Sequence, residues 1–179
     1  MVNKNPLLTS WNTPYKIAPF DKILDCHFSE ALEIAMEYEL QEIQEISENS
    51  DPPTFENTIH ALLNSGNLLE RVLSVFYTLV SADSNTQREK LMTEFSPKLS
   101  SHSSKITSNE KLFNRIQELF EKIDSLNLLP EEHRLLEKIH RDYVRAGAAL
   151  DDQSKERIKD IKKQLSILGT KFSQNLLAD

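Results

Sequence analysis

His133, Glu137 and His140 are the side chains of this sequence whose types and helical spacing first suggest metal chemistry. At i, i+4 and i+7 they share one face of a helix. A catalytic zinc motif of the H-E-x-x-H kind instead sets two histidines four residues apart, with a glutamate beside the first. Here the histidines are seven apart, about 10 Å along the axis at 1.5 Å per residue. Two imidazoles on one zinc bring their ligating nitrogens to within about 3–4 Å, because each Zn–N bond is near 2 Å. One ion is therefore not expected to take both, and the three read as a solvated polar face. No histidine in the chain is followed by glutamate.

The other chemistry-bearing residues are scattered. His27, His60 and His102 stand singly, and a lone helical histidine reads as structural or surface. Glu37, Glu39, Glu42 and Glu45 fall on what reads as the outward face of a helix, as solvating charge rather than a paired acid and base. Cys26, the single cysteine, excludes an internal disulfide and reads as a buried small hydrophobe. Three glycines cannot build a phosphate-binding loop or a G-x-S-x-G elbow. No catalytic, cofactor-binding or metal-ligating set is expected within these 179 residues.

The elements that position these residues are helices. Few glycines, long runs rich in Leu, Ile, Glu and Lys, and no period-two alternation predict an all-α antiparallel assembly of about six helices. Residues 1–24 carry Pro6, Pro14 and Pro19 around Trp11, Tyr15 and Phe20, and predict an extended arm strapped over a helical lobe at 25–179. The first helix is expected over about Phe28–Ile46, ended by Asp51-Pro52-Pro53, with Thr54 capping the next. The stripe Phe55, Ile59, Leu62, Gly66, Leu69, Leu73, Phe76 and Val80 keeps one phase, which predicts a single long helix through Gly66. Thr86 is expected to cap a third helix kinked at Pro97, Ser108-Asn109 opens a fourth, and Pro130 opens a fifth.

The last helix carries Ile158, Ile161, Leu165, Leu168, Phe172 and Leu176 in steps of three and four, and reaches Asp179 with no Gly, Asn or Pro to stop it. Such an unfinished apolar face predicts that the chain opens a longer protein. A net charge of −7 argues against nucleic acid, since the basic run at 155–163 is broken by Glu156 and Asp160. No run of 18 apolar residues and no secretory leader are present, so no membrane span is expected and a cytoplasmic setting is the default.

Several strings are more specific than composition. Asn5-Pro6-Leu7-Leu8 with Trp11, Pro14 and Pro19-Phe20-Asp21-Lys22-Ile23 resembles the start of the thimet oligopeptidase-like zinc metallopeptidases. Pro53-Thr54-Phe55-Glu56-Asn57-Thr58-Ile59, followed by Ser65-Gly66, Leu69 and Arg71-Val72, resembles them too. His140-Arg141-Asp142-Tyr143-Val144-Arg145-Ala146-Gly147-Ala148 and Leu168-Gly169-Thr170-Lys171-Phe172-Ser173-Gln174-Asn175 resemble the peptidyl-dipeptidase branch. The resemblance implies the N-terminal, non-catalytic lobe of an enzyme that releases C-terminal dipeptides from oligopeptides. It implies a zinc held elsewhere by H-E-x-x-H and a later glutamate, with the rest of the polypeptide as the lobe's partner and this lobe as one wall of the substrate channel. A stand-alone helical scaffold or adaptor and a related oligopeptidase cutting internal bonds are the alternatives.

Overall fold

The structure is a computed structural model that describes residues 5–178. Asp179, where the last helix was expected to run on uncapped, lies outside the described residues, as do residues 1–4 of the arm. The described residues form helices α1 (Cys26–Ser47), a π-helical turn (Phe55–His60) leading into the short α2 (Ala61–Leu63), α3 (Asn67–Ala82), α4 (Thr86–Thr107), α5 (Glu110–Glu121), α6 (Pro130–Ala146) and α7 (Asp152–Ala178). There is no strand among them.

Side-chain caps start these helices. Thr54 accepts from the Asn57 amide at 3.0 Å while Asn57 returns a bond to the Thr54 amide at 2.8 Å, a reciprocal capping box. Asn109 caps α5 through the Leu112 amide at 2.9 Å, and Pro130 is the first residue of α6. The cap of α4 is Asn85, one residue before the expected Thr86, with its carboxamide oxygen on the Arg88 amide at 2.9 Å. Pro97 lies inside α4, which continues from Thr86 to Thr107 through it.

The long second helix expected from the apolar phase is instead two elements broken at Gly66. Gly66 adopts φ +71°, a left-handed conformation that ends α2 and starts α3. The side chain of Glu39 presses against it, so that a Cβ there would stand 2.5 Å from Oε1, while the Glu42 carboxylate accepts the Gly66 amide at 2.8 Å. Periodicity survived because the turn returns the chain to the same face. The break sits where α1 packs against Gly66, a juxtaposition that spacing alone does not reveal.

Two hydrophobic cores share α1. Its first half gives Phe28, Ala31, Leu32 and Ala35 to a core completed by Leu7, Leu69, Val72, Phe76 and Phe95. Its second half gives Ile43 and Ile46 to another, with Ile59, Leu112, Ile116, Leu119 and Leu136. Phe28 and Phe76 meet edge to face at 5.1 Å between centroids. Between the cores runs a polar belt: Glu39 lies 2.6 Å from Nε2 of the buried His102 on α4, beside the Glu42–Gly66 bond. This corrects the outward reading of Glu39, whose carboxylate holds α4; Glu42 is exposed as expected, although its carboxylate also accepts the Gly66 amide.

The arm is tied down at its start and free at its tip. Leu7 is fully buried, Asn5 bonds the His27 carbonyl and Glu30, and Trp11 donates to the Pro6 carbonyl at 2.8 Å beneath the Arg71 guanidinium. Tyr15, Ile17, Phe20 and Leu24 remain exposed, so the arm straps the core over only part of its length. Cys26, expected inside, is exposed at the first residue of α1, off the Phe28–Leu32 face.

Arg115 of α5 is buried without a carboxylate partner. Its guanidinium donates to the Asn49 and Asp51 carbonyls at 2.9 and 3.0 Å, to Asn57 Oδ1 at 2.9 Å and to Thr58 Oγ1 at 3.3 Å. It thereby pins the Pro52-Pro53 loop and the capping box onto α5. Replacement by lysine, which lacks the planar fork, is expected to cost about 2–3 kcal/mol because several buried acceptors lose donors; a denaturant midpoint equal to that of the parent refutes this. Gly66→Ala is expected to lose about 1–2 kcal/mol through the left-handed backbone, with Glu39 displaced. Thermal unfolding followed by circular dichroism checks the second expectation, and an unchanged midpoint contradicts it.

Candidate functional site

The metal-like trio on α6 separates into different local partnerships. His140 stacks on Phe120, 3.8 Å between centroids and 4° from parallel, with Phe113 beyond at 6.0 Å, and Nε2 lies 2.6 Å from Gln117 Oε1. Burial against these rings pushes the imidazole below its ordinary pKa. His133 faces Asp124 at 3.6 Å and Glu137 at 3.9 Å. The Glu137 carboxylate accepts from Arg134 at 2.8 Å, which holds it below the usual carboxylate range. Among the described residues no group of three or more His, Cys, Asp or Glu is placed to hold a metal ion.

A groove of about 640 Å³ runs between α1 and α4. The two helices run parallel, as the pairs Asp25–Arg88, Glu33–Lys98 and Glu39–His102 show. Met36, Leu40 and Pro97 give it an apolar floor. Lys98 bridges Glu94 at 2.7 Å and Glu33 at 3.1 Å across one end, and Lys105 and Lys163 line it further along. His102 closes the floor, already engaged by Glu39. Such a lining suits apolar side chains flanked by polar backbone; its hydroxyl, Ser101, makes no hydrogen bond to His102, whose Nε2 is paired with Glu39. The sequence reading missed the groove, because it depends on α1 and α4 lying side by side.

The last helix packs with the opposite face from the one its pattern announces. Its antiparallel contact with α4 is polar: Ser166 and Thr170 meet Ser96 at 2.8 and 2.7 Å, and Gln174 donates to Thr93 Oγ1 and the Glu89 carbonyl. Thr170 is buried, whereas Leu165, Leu168, Phe172 and Leu176 are 61–70% exposed. No helix of the described residues is long and apolar enough to cross a membrane.

The lowered His140 has a consequence for stability. The unfolded chain takes up its proton near the ordinary histidine pKa of about 6.5, the folded chain only at lower pH. Its contribution is therefore whole above that value and is lost as pH falls below it. His140→Gln is expected to flatten the decline of the denaturant midpoint between about pH 7 and 5; an unaltered slope overturns the assignment.

Comparison with known proteins places this geometry. No protein-family model matches the chain. It is 37% identical over 177 residues to a dipeptidyl carboxypeptidase of Salmonella typhimurium and 36% identical over 178 residues to one of Escherichia coli, in each case across 99% of this chain. Oligopeptidase A of Escherichia coli matches at 26% identity over 97% of the chain. The chain spans about a quarter of the length of these relatives (26% of each dipeptidyl carboxypeptidase). It is thus homologous along its whole length to the N-terminal region of the dipeptidyl carboxypeptidases, which are thimet oligopeptidase-like peptidases.

Proposed function

We propose that residues 1–179, an arm at 1–24 and a helical lobe at 25–179, form the non-catalytic N-terminal lobe of a peptidyl-dipeptidase that releases C-terminal dipeptides from oligopeptides. The observation that carries this reading is the 36–37% identity across 99% of the chain to dipeptidyl carboxypeptidases, against lower identity to oligopeptidase A. In this reading the enzyme is a zinc metallopeptidase whose ligands and water-activating glutamate lie beyond residue 179. The residues in hand do not fit such an ion: His133 and His140 are turned to separate partners. No chemical step is therefore assigned to them.

The lobe's contribution is confinement. The α1–α4 groove, apolar below and lined by lysines and glutamates, has the size and lining to take part of an extended peptide, and supports a role as channel wall. A cytoplasmic setting suits a chain whose one cysteine is exposed and unpaired.

The test is product analysis with the intact polypeptide on N-blocked peptides of five to nine residues. Stepwise loss of C-terminal dipeptides, abolished by a chelator and restored by zinc, with no hydrolysis by residues 1–179 alone, is the expected result. Cleavage only at internal bonds refutes the dipeptidase reading, and hydrolysis by the 179-residue chain refutes the non-catalytic one.

A further inference from the structure

A helix normally spends its apolar stripe on its own domain and gives its polar face to water. α7 does the reverse. Successive residues turn by about 100°, so Lys162, Ser166, Thr170 and Gln174 form one face, and Ile161, Leu165, Leu168, Phe172 and Leu176 form another pointing away from it. The first face is committed: Lys162 donates to the Ala146 carbonyl, Ser166 and Thr170 close on Ser96, and Gln174 reaches Thr93. The second touches solvent, with exposures from 40% at Ile161 to 70% at Phe172.

A separate observation marks the same surface. Gly169 sits mid-helix beside Leu165, Leu168 and Phe172, and a Cβ there would meet nothing within 4 Å. Its backbone is not left-handed, unlike that of Gly66 and Gly147. A glycine inside a helix costs about 1 kcal/mol relative to alanine. Nothing among the described residues requires that cost, whereas a neighbouring backbone approaching closely over the stripe would.

We propose that the outward stripe of α7 is the seat of a helix from the part of the polypeptide beyond residue 179, which crosses α7 closest at Gly169. This rests on the lobe reading above. The steps of four, three, four and four between the stripe residues fit ridges-into-grooves packing of a single helix. From Ile161 to Leu176 the stripe is about 22 Å long, room for roughly four turns of a partner. The occupant is assigned to the same polypeptide because the chain spans only 26% of the length of its relatives, and α7 is the element that leads out of it. α7 is then sandwiched, polar face on α4 and apolar face on the incoming helix.

Thiol labelling tests this directly. In a Cys26→Ser background, Leu168→Cys is placed in the intact polypeptide and, separately, in residues 1–179, with Gln153→Cys as an exposed reference and Leu165→Cys as a second reporter. Maleimide is expected to modify Leu168→Cys at least tenfold more slowly in the intact protein, with the reference unchanged. Gly169→Phe is expected to restore fast labelling there by blocking the approach. Equal rates in both proteins overturn the proposal. Slow labelling in both, with residues 1–179 sedimenting as a dimer, overturns it in favour of a second copy. Dipeptide release by the unsubstituted intact protein is scored independently, so a failed seam and a failed lobe reading are distinguishable.

Discussion

Everything in this lobe hangs on α1, because one 22-residue helix supplies a wall to both hydrophobic cores. Sharing one helix between two cores leaves a stretch in the middle where neither core is continuous, and there the structure uses polar contacts. Glu39 and His102 form a short, nearly dry pair, and Glu42 takes the amide that the left-handed Gly66 exposes. A carboxylate inside a protein is tolerated only when paired and hydrogen-bonded, so these contacts specify how α3 and α4 sit on α1 more than they add stability. Tyr143 feels the same belt: burial first, and the nearby Glu39 charge second, raise its pKa. His102 of that belt also lines the α1–α4 groove.

The arm and α7 bracket this frame from its two ends, and both are half-committed. The arm buries Leu7 and half-buries Trp11 yet leaves Tyr15, Ile17, Phe20 and Leu24 outward; α7 commits its hydroxyls and leaves its leucines. Apolar side chains grouped in this way are a surface awaiting a partner rather than scattered exposure. In the reading proposed above, these surfaces of the terminal elements are where further chain would complete the lobe. The homology, covering nearly all of this chain but a quarter of its relatives, points the same way.

Local signals located most of the elements. Asn109, Thr54 and Pro130 start helices where their chemistry says, since caps and prolines act on backbone groups within one turn. What was not legible depended on neighbours distant in sequence. Gly66 kept the helical phase and hid a left-handed break packed against Glu39, and the acidic face of α1 hid one carboxylate, Glu39, paired inward with His102. Arg115 drew no notice in the sequence, because its four acceptors lie more than fifty residues away. The stripe of α7 was plain in the sequence, but that it faces outward was not, because Ser96 opposite Ser166 and Thr170 carries no periodic signal. The resemblance in short strings reached the family that whole-chain comparison shows, while the candidate groove needed coordinates.

The most direct measurement is reconstitution from two pieces: residues 1–179 co-expressed with the remainder of the polypeptide as a separate chain. A one-to-one complex that releases dipeptides, when neither piece does so alone, is the result expected of a lobe that completes a peptidase. A remainder that is fully active by itself, with residues 1–179 failing to associate with it, contradicts the lobe.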